Sequence, residues 1–171
     1  RLGVRTLKHI LNSPGTLRFP DYHLDMVRIG GGLYSTVLQQ FTRQPMEVVS
    51  TLKTVISQLK VISPGSTVGY DRKGIATQEM RIATIAIGYA DGFSRTLGNG
   101  RGRVWINGHL VPVVGDVCMD MSMIDVTHIP AAEGDEVIIF GPQHDITAMA
   151  TAMQTIPSAI LTSISERVKR V

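Results

Sequence analysis

The sequence predicts a mainly β fold: an antiparallel, barrel-like β-domain preceded by the last strands and loops of a parallel α/β unit. Three observations carry this. β-branched runs recur at short spacing from residue 48 to residue 140, separated by Gly, Pro and Asp. Asn107-Gly108 stands between two of those runs, the strongest short hairpin signal a sequence carries. Before residue 43 the pattern differs, with two apolar runs that each end in a turn, as βα units do.

In chain order, residues 5–10 read as a strand or strand end, punctuated by Asn12-Ser13-Pro14-Gly15. Asn or Ser before Pro suits a helix start, because the side chain accepts from free amides and Pro has no amide to leave unpaired. Residues 25–29 form a second strand that stops in Gly30-Gly31-Gly32. The β-domain opens with a long strand over 48–62, closed by Pro64-Gly65, and continues through 82–87, 103–106, 110–114, 123–126 and 136–140. Asp145 opens a helix to about residue 153, and 159–168 is a second helix or a final strand. The predicted division is 1–42 and 43–171.

Composition narrows the function classes. With 43% hydrophobic residues the 171-residue chain can bury a core, and 17 basic against 14 acidic residues leave a net charge of +3. No long basic run and only 5% aromatic residues disfavour a nucleic-acid surface. No apolar run spans a bilayer, and Cys118 alone forms no intrachain disulfide, so a cytoplasmic setting without membrane contact is expected. The five histidines lack metal-ligand spacing, and no metal site is predicted. The chain starts at Arg1 without a signal-peptide layout, so it is expected to begin inside a longer protein.

Local pattern leaves the chemistry open. Ser13 and the backbone at Gly30 and Gly31 can cradle a phosphate or make plain turns. Arg28 suits a salt bridge at the rim of the α/β unit, and His9 a satisfied polar core position. Tyr70 and Tyr89, each beside a glycine, are phenols in a cleft or rings packed over turns. Cys118 has no local His partner and reads as filler, and Met119, Met121 and Met123 alternate as one strand face does.

A resemblance closes the gap. The blocks His9-Ile10-Leu11-Asn12-Ser13, Leu17-Arg18-Phe19-Pro20 and Met26-Val27-Arg28-Ile29-Gly30-Gly31-Gly32-Leu33-Tyr34 resemble the end of the pyridoxal-phosphate (PLP) barrel of alanine racemases. The segments 64–70, 87–92, 114–120 and 164–168 follow in that family's order, so the match covers essentially the whole chain. It implies the C-terminal part of such an enzyme: the last strands and loops of an (α/β)₈ PLP barrel, then the C-terminal β-domain.

The resemblance also implies roles. Ser13, Gly30 and Gly31 would hold the cofactor phosphate, Arg28 would face the pyridine nitrogen, and His9 would hydrogen-bond that arginine. A permanently charged, donor-only Arg keeps the ring nitrogen unprotonated. Tyr70 would serve one face of the substrate α-carbon, acting across the boundary of a head-to-tail homodimer. The family's Schiff-base lysine would serve the other face. Met119 would place the substrate carboxylate through its backbone, and Tyr89, Asp120 and Arg95 would line the entrance. The implied reaction interconverts L- and D-alanine for peptidoglycan. The lysine lies in a part of the barrel not in this sequence, so the chain alone is expected to be inactive. A dimerisation module without catalysis, or a racemase for another small amino acid such as serine, are the alternatives. Glu166, Asp116 and Asp71 depart from the family's more usual tyrosine, arginine and glycine.

Overall fold

A computed structural model describes residues 6–34, 38, 41–44 and 46–171. The chain divides into two units, Arg1–Ser50 and Thr51–Val171.

In the first unit Asn12 caps α1 (Ser13–Arg18), its side chain accepting from the Gly15 amide, with Pro in the first turn as the sequence predicts. The two predicted strands shrink to one parallel bridge, His9 to Met26, supported by Arg28 N donating to Leu11 O. The run 25–29 therefore has a bridging partner but no ladder among the described residues. Two 3₁₀ turns follow, Pro20–Tyr22 and Gly31–Tyr34.

The second unit is a closed antiparallel barrel. Its strands are β1 (Leu52–Ile62), β4 (Met80–Ile85), β5 (Arg103–Ile106), β6 (His109–Val114), β7 (Ser122–Asp125) and β8 (Glu136–Phe140), in the order β1-β4-β7-β6-β5-β8. A separate two-stranded sheet pairs β2 (Thr67–Val68) with β3 (Gly74–Ile75). The 11-residue β1 closes the barrel because it serves two partners. Residues 52–55 pair with β8 and 56–62 with β4, with register shifts after Leu52 and after Ile56. Such bulges bend and twist a strand, which closure requires. The predicted start at residue 48 is thus too early. Val48 and Val49 are exposed, and the strand begins where Phe140 first offers a partner.

Asn107 and Gly108 both take positive φ, 46° and 86°, the pattern of a type I′ turn, and fix the β5–β6 register Ile106↔His109. Inside the barrel Val104, Ile106, Ile124, Val137 and Ile139 have no exposed surface. Each such side chain stabilises the fold by about 2 kcal/mol through lost water contact. The helices α2 (Ile146–Ala152) and α3 (Pro157–Ser163) add Ile146, Met149, Ala150 and Ile160 to the same core. Asp145 caps α2 by accepting from Thr147 N. Residues 159–168 are accordingly the end of a helix and a turn, not a strand. Among the described residues no helix is long and apolar enough to cross a membrane, and no group of metal-binding side chains gathers.

Candidate active site

Two loops that separate β4 from β5 and β6 from β7 meet the β2–β3 turn on the second unit. Phe93 and Leu97, nearly without exposed surface, root the first loop in the core. The β2–β3 pair is rooted by Val68, which clusters with Ile82 of β4 and Met123 of β7.

The turn carrying Tyr70 is tight and left-handed. Gly69, Asp71 and Arg72 have φ of 79°, 57° and 54°. Left-handed backbone is disfavoured by about 1 kcal/mol or more for a residue with a Cβ, so surroundings must hold it. Glycine answers part of that need. A Cβ on Gly115 would lie 2.6 Å from the Val68 carbonyl oxygen, and Gly115 also has positive φ. Only glycine lets the 115–116 backbone come so close to 68–69. The result presents the Tyr70 side chain outward, with the residue 70% exposed.

Behind the turn lies Asp116, 5% exposed. Its carboxylate accepts from Lys73 Nζ at 2.8 Å and Asn99 Nδ2 at 2.7 Å, with Arg95 Nη2 at 3.6 Å. The Lys73 hydrogen bond, then that from Asn99, holds the Asp116 carboxyl below its ordinary value of 3.8, against the opposing effect of burial. The folded chain therefore binds this proton later than the unfolded chain as pH falls. The stability from Asp116 is complete above the unfolded value and is lost as pH falls through the lowered folded one. Thermal unfolding followed from about pH 7 to about pH 3 should show a shallower loss of Tm in Asp116→Asn than in wild type.

A third contact fixes Met119. Tyr89 N and Ala90 N donate to the Cys118 and Met119 carbonyl oxygens at 2.9 and 3.0 Å, across Gly88. Among the described residues nothing accepts the Met119 N–H. Gly88 N donates to the Asp91 carboxylate at 2.9 Å. Arg167 then clamps two loops, Nε to Asp91 at 2.7 Å and Nη2 to Asp120 at 2.6 Å. Glu166 beside it is exposed.

Tyr70 and Met119 thus line one cleft of about 370 Å³ with Gly69, Cys118, Asp120, Met121 and Met123. Tyr89 sits on the turn hydrogen-bonded to that wall. Burial, then the Asp116 charge, pushes the Cys118 thiol up, which disfavours its thiolate. Sequence reasoning missed Lys73, Asn99 and Arg167. Their partners lie 43, 17 and 47 residues away, and no local pattern marks such pairs.

In the first unit the Ser13 hydroxyl oxygen, buried, accepts from Gly30 N at 3.1 Å and Gly32 N at 3.2 Å. Gly31 opens the 3₁₀ turn between them. Arg28 Nη2 donates to the Ile10 carbonyl oxygen at 3.3 Å, and His9 lies on the neighbouring bridge.

A closed six-stranded antiparallel barrel with an outward tyrosine turn beside a methionine-lined cleft defines a class: a mainly β domain that carries a candidate site on its loops. The chain belongs to the alanine racemase family: the model described as "Alanine racemase, C-terminal domain" matches residues 49–171. Alanine racemase 1 of Caldanaerobacter subterraneus subsp. tengcongensis is 40% identical over 172 residues, covering 96% of this chain and 44% of that protein. A broad specificity amino-acid racemase of Pseudomonas taetrolens is 39% identical over 157 residues, covering 91% and 38%. The crystal structure of alanine racemase from Bartonella henselae with covalently bound pyridoxal phosphate superposes with a TM-score of 0.91 at 34% identity. That match covers 98% of this chain and 47% of the other. The chain thus spans between 38% and 47% of the length of these relatives and carries the family's C-terminal domain.

Proposed function

We propose that this chain works within a PLP-dependent racemase that interconverts L- and D-alanine, supplying D-alanine for peptidoglycan in the cytoplasm. The observation that carries the proposal is the outward Tyr70 on its braced turn, sharing a cleft with Met119. Racemisation needs proton transfer on both faces of the α-carbon, and a phenol fixed at a cleft wall serves one face. The free Met119 N–H is a donor for the substrate carboxylate, and the thioether-lined wall suits a small side chain.

The first unit fits a phosphorylated cofactor. Ser13 Oγ already accepts two amides, so its own proton remains to donate, and among the described residues none accepts it. A Cβ at Gly30 would meet nothing within 4 Å, so the backbone that donates to Ser13 has one open face. Ser13, Gly30 and Gly31 are the proposed phosphate holders, with Arg28 proposed to face the ring nitrogen and His9 proposed to hydrogen-bond that arginine. When bound, PLP supplies the electron sink that acidifies the substrate α-carbon.

A second copy of the chain is the proposed partner, with Tyr70 acting across the subunit boundary. Its exposed ring and the exposed Met119 and Met121 offer apolar surface for that contact. Because the chain spans 44% of the Caldanaerobacter protein, the activity is proposed for the whole polypeptide, and this stretch alone is expected to be inactive. The test is chiral chromatography of L-alanine incubated with the full-length PLP-loaded protein, with L-serine in parallel. D-Alanine formation supports the proposal. Preference for serine would reassign the substrate, and no turnover of either would overturn the reading.

A further inference from the structure

We infer that Asp116 is a positioning residue for Tyr70: its buried carboxylate, gripped by Lys73, holds the left-handed turn on which the phenol is presented. The inference rests on the reading of Tyr70 as the proton-transfer residue and deepens it.

The turn between β2 and β3 runs from Gly69 to Lys73, and two of its residues with a Cβ, Asp71 and Arg72, sit in the left-handed region. Two consecutive such residues do not persist without a brace. On one side the brace is the short ladder, Val68↔Gly74 and Thr67↔Ile75. On the other, beside the packing of Gly69 against the Asp116 backbone, it is the one side-chain hydrogen bond that joins the turn to the barrel loops among the described residues, Lys73 Nζ to Asp116 Oδ2 at 2.8 Å. The remaining ion pair on the turn, Lys73 to Asp71 at 3.8 Å, is internal to it and joins it to nothing else.

Asp116 is suited to the task because both its backbone and its carboxylate are held. Its backbone follows the close Gly115–Val68 approach, and its second oxygen is held by Asn99 Nδ2 at 2.7 Å. Asn99 is itself fixed, donating N–H to the Gly115 carbonyl oxygen at 2.8 Å. Arg95, at 3.6 Å, comes from the 3₁₀ turn Arg95–Leu97, whose Leu97 is in the core. One buried carboxylate thus ties the tyrosine turn to two loops rooted in the barrel. Lys73 is half exposed, so its ammonium is ordered by Asp116 and not by burial. A buried carboxylate with two hydrogen-bond donors and a nearby guanidinium is far more rigid than a surface pair, and an ångström of misplacement can lower a proton-transfer rate by roughly 10²-fold.

The test is a double-mutant cycle in the full-length PLP-loaded protein, using Asp116→Ala, Lys73→Met and the pair. Each single change should lower kcat for alanine by roughly 10- to 100-fold with KM within about threefold. The double variant should be no worse than either single one, because both remove the same contact. Lys73→Met alters a half-exposed side chain and so tests the contact even where Asp116→Ala folds poorly. Hydrogen–deuterium exchange supplies a readout independent of turnover. Amides 69–74 should exchange faster in both single variants, while 82–85 and 122–125 stay as in wild type. Unchanged kcat, losses that multiply in the double variant, or faster exchange throughout the barrel would overturn the inference. If the wild type does not racemise and Tyr70→Phe changes nothing, the racemase reading fails instead, and the exchange data still decide whether Asp116 holds the turn.

Discussion

Tyr70→Phe in the full-length PLP-loaded protein is expected to reduce racemisation of alanine by roughly 10²- to 10⁴-fold, the span that a lost general acid–base group gives. The ring remains and only the hydroxyl goes. With Tyr70 70% exposed and lining the cleft, no core packing is disturbed and Tm should move little. The two enantiomers of alanine have equal free energy in water, so the loss in kcat/KM must be the same in both directions. A sharper signature comes from deuterated solvent. The group serving the opposite face is untouched, so one enantiomer should still exchange its α-hydrogen while inversion stops. Equal loss of exchange for both enantiomers would show that Tyr70 positions substrate and does not carry a proton.

Gly88→Ala should have the largest effect on stability. Its φ is −146°, so the backbone tolerates a side chain, and the objection is purely one of space. The new Cβ would fall 2.3 Å from both the Cys118 and Met119 carbonyl oxygens. Those oxygens are the acceptors of Tyr89 N and Ala90 N, so pushing them away also breaks both bonds that hold Met119. Overpacking on backbone should cost about 3 kcal/mol, a fall in Tm of roughly 10 °C for a chain of this size. Gly108→Ala is the contrast: nothing lies within 4 Å, and only its φ of 86° opposes the change, costing about 1 kcal/mol. If Gly88→Ala melts like Gly108→Ala and keeps full activity, the close approach at Gly88 does not matter to the site.

Local chemistry was readable where the sequence states it. Asn107-Gly108 makes the turn it announces, Asn12 and Asp145 cap the helices they precede, and the stretches 103–106 and 136–140 are strands to the residue. The mainly β class follows from these and is what the structure shows. Errors arose where a partner decides. Residues 48–51 have strand propensity but lie before the first β8 partner of β1. Among the described residues the run 25–29 has a single bridge and no ladder. Propensity reports how a side chain suits a pleated surface, and it does not name the neighbour. The site divides the same way. Tyr70 and Met119 were singled out through resemblance, while local pattern left Tyr70 open between cleft and turn. The Lys73–Asp116 and Arg167–Asp120 pairs join residues that are distant in the chain, and their geometry exists only once the barrel closes.

The double pairing of β1 has a consequence for how the chain comes into being. Its seam with β8 joins Leu52 to Phe140, so the first strand of the barrel waits for the last. During synthesis β1 emerges with both edges bare, and β4 can cover only the 56–62 half. Contacts this far apart in sequence close slowly, since loop entropy is lost before any pairing is gained. Until Phe140 leaves the ribosome, residues 52–55 remain an adhesive edge, the segment where a nascent copy is most exposed to pairing with the wrong chain.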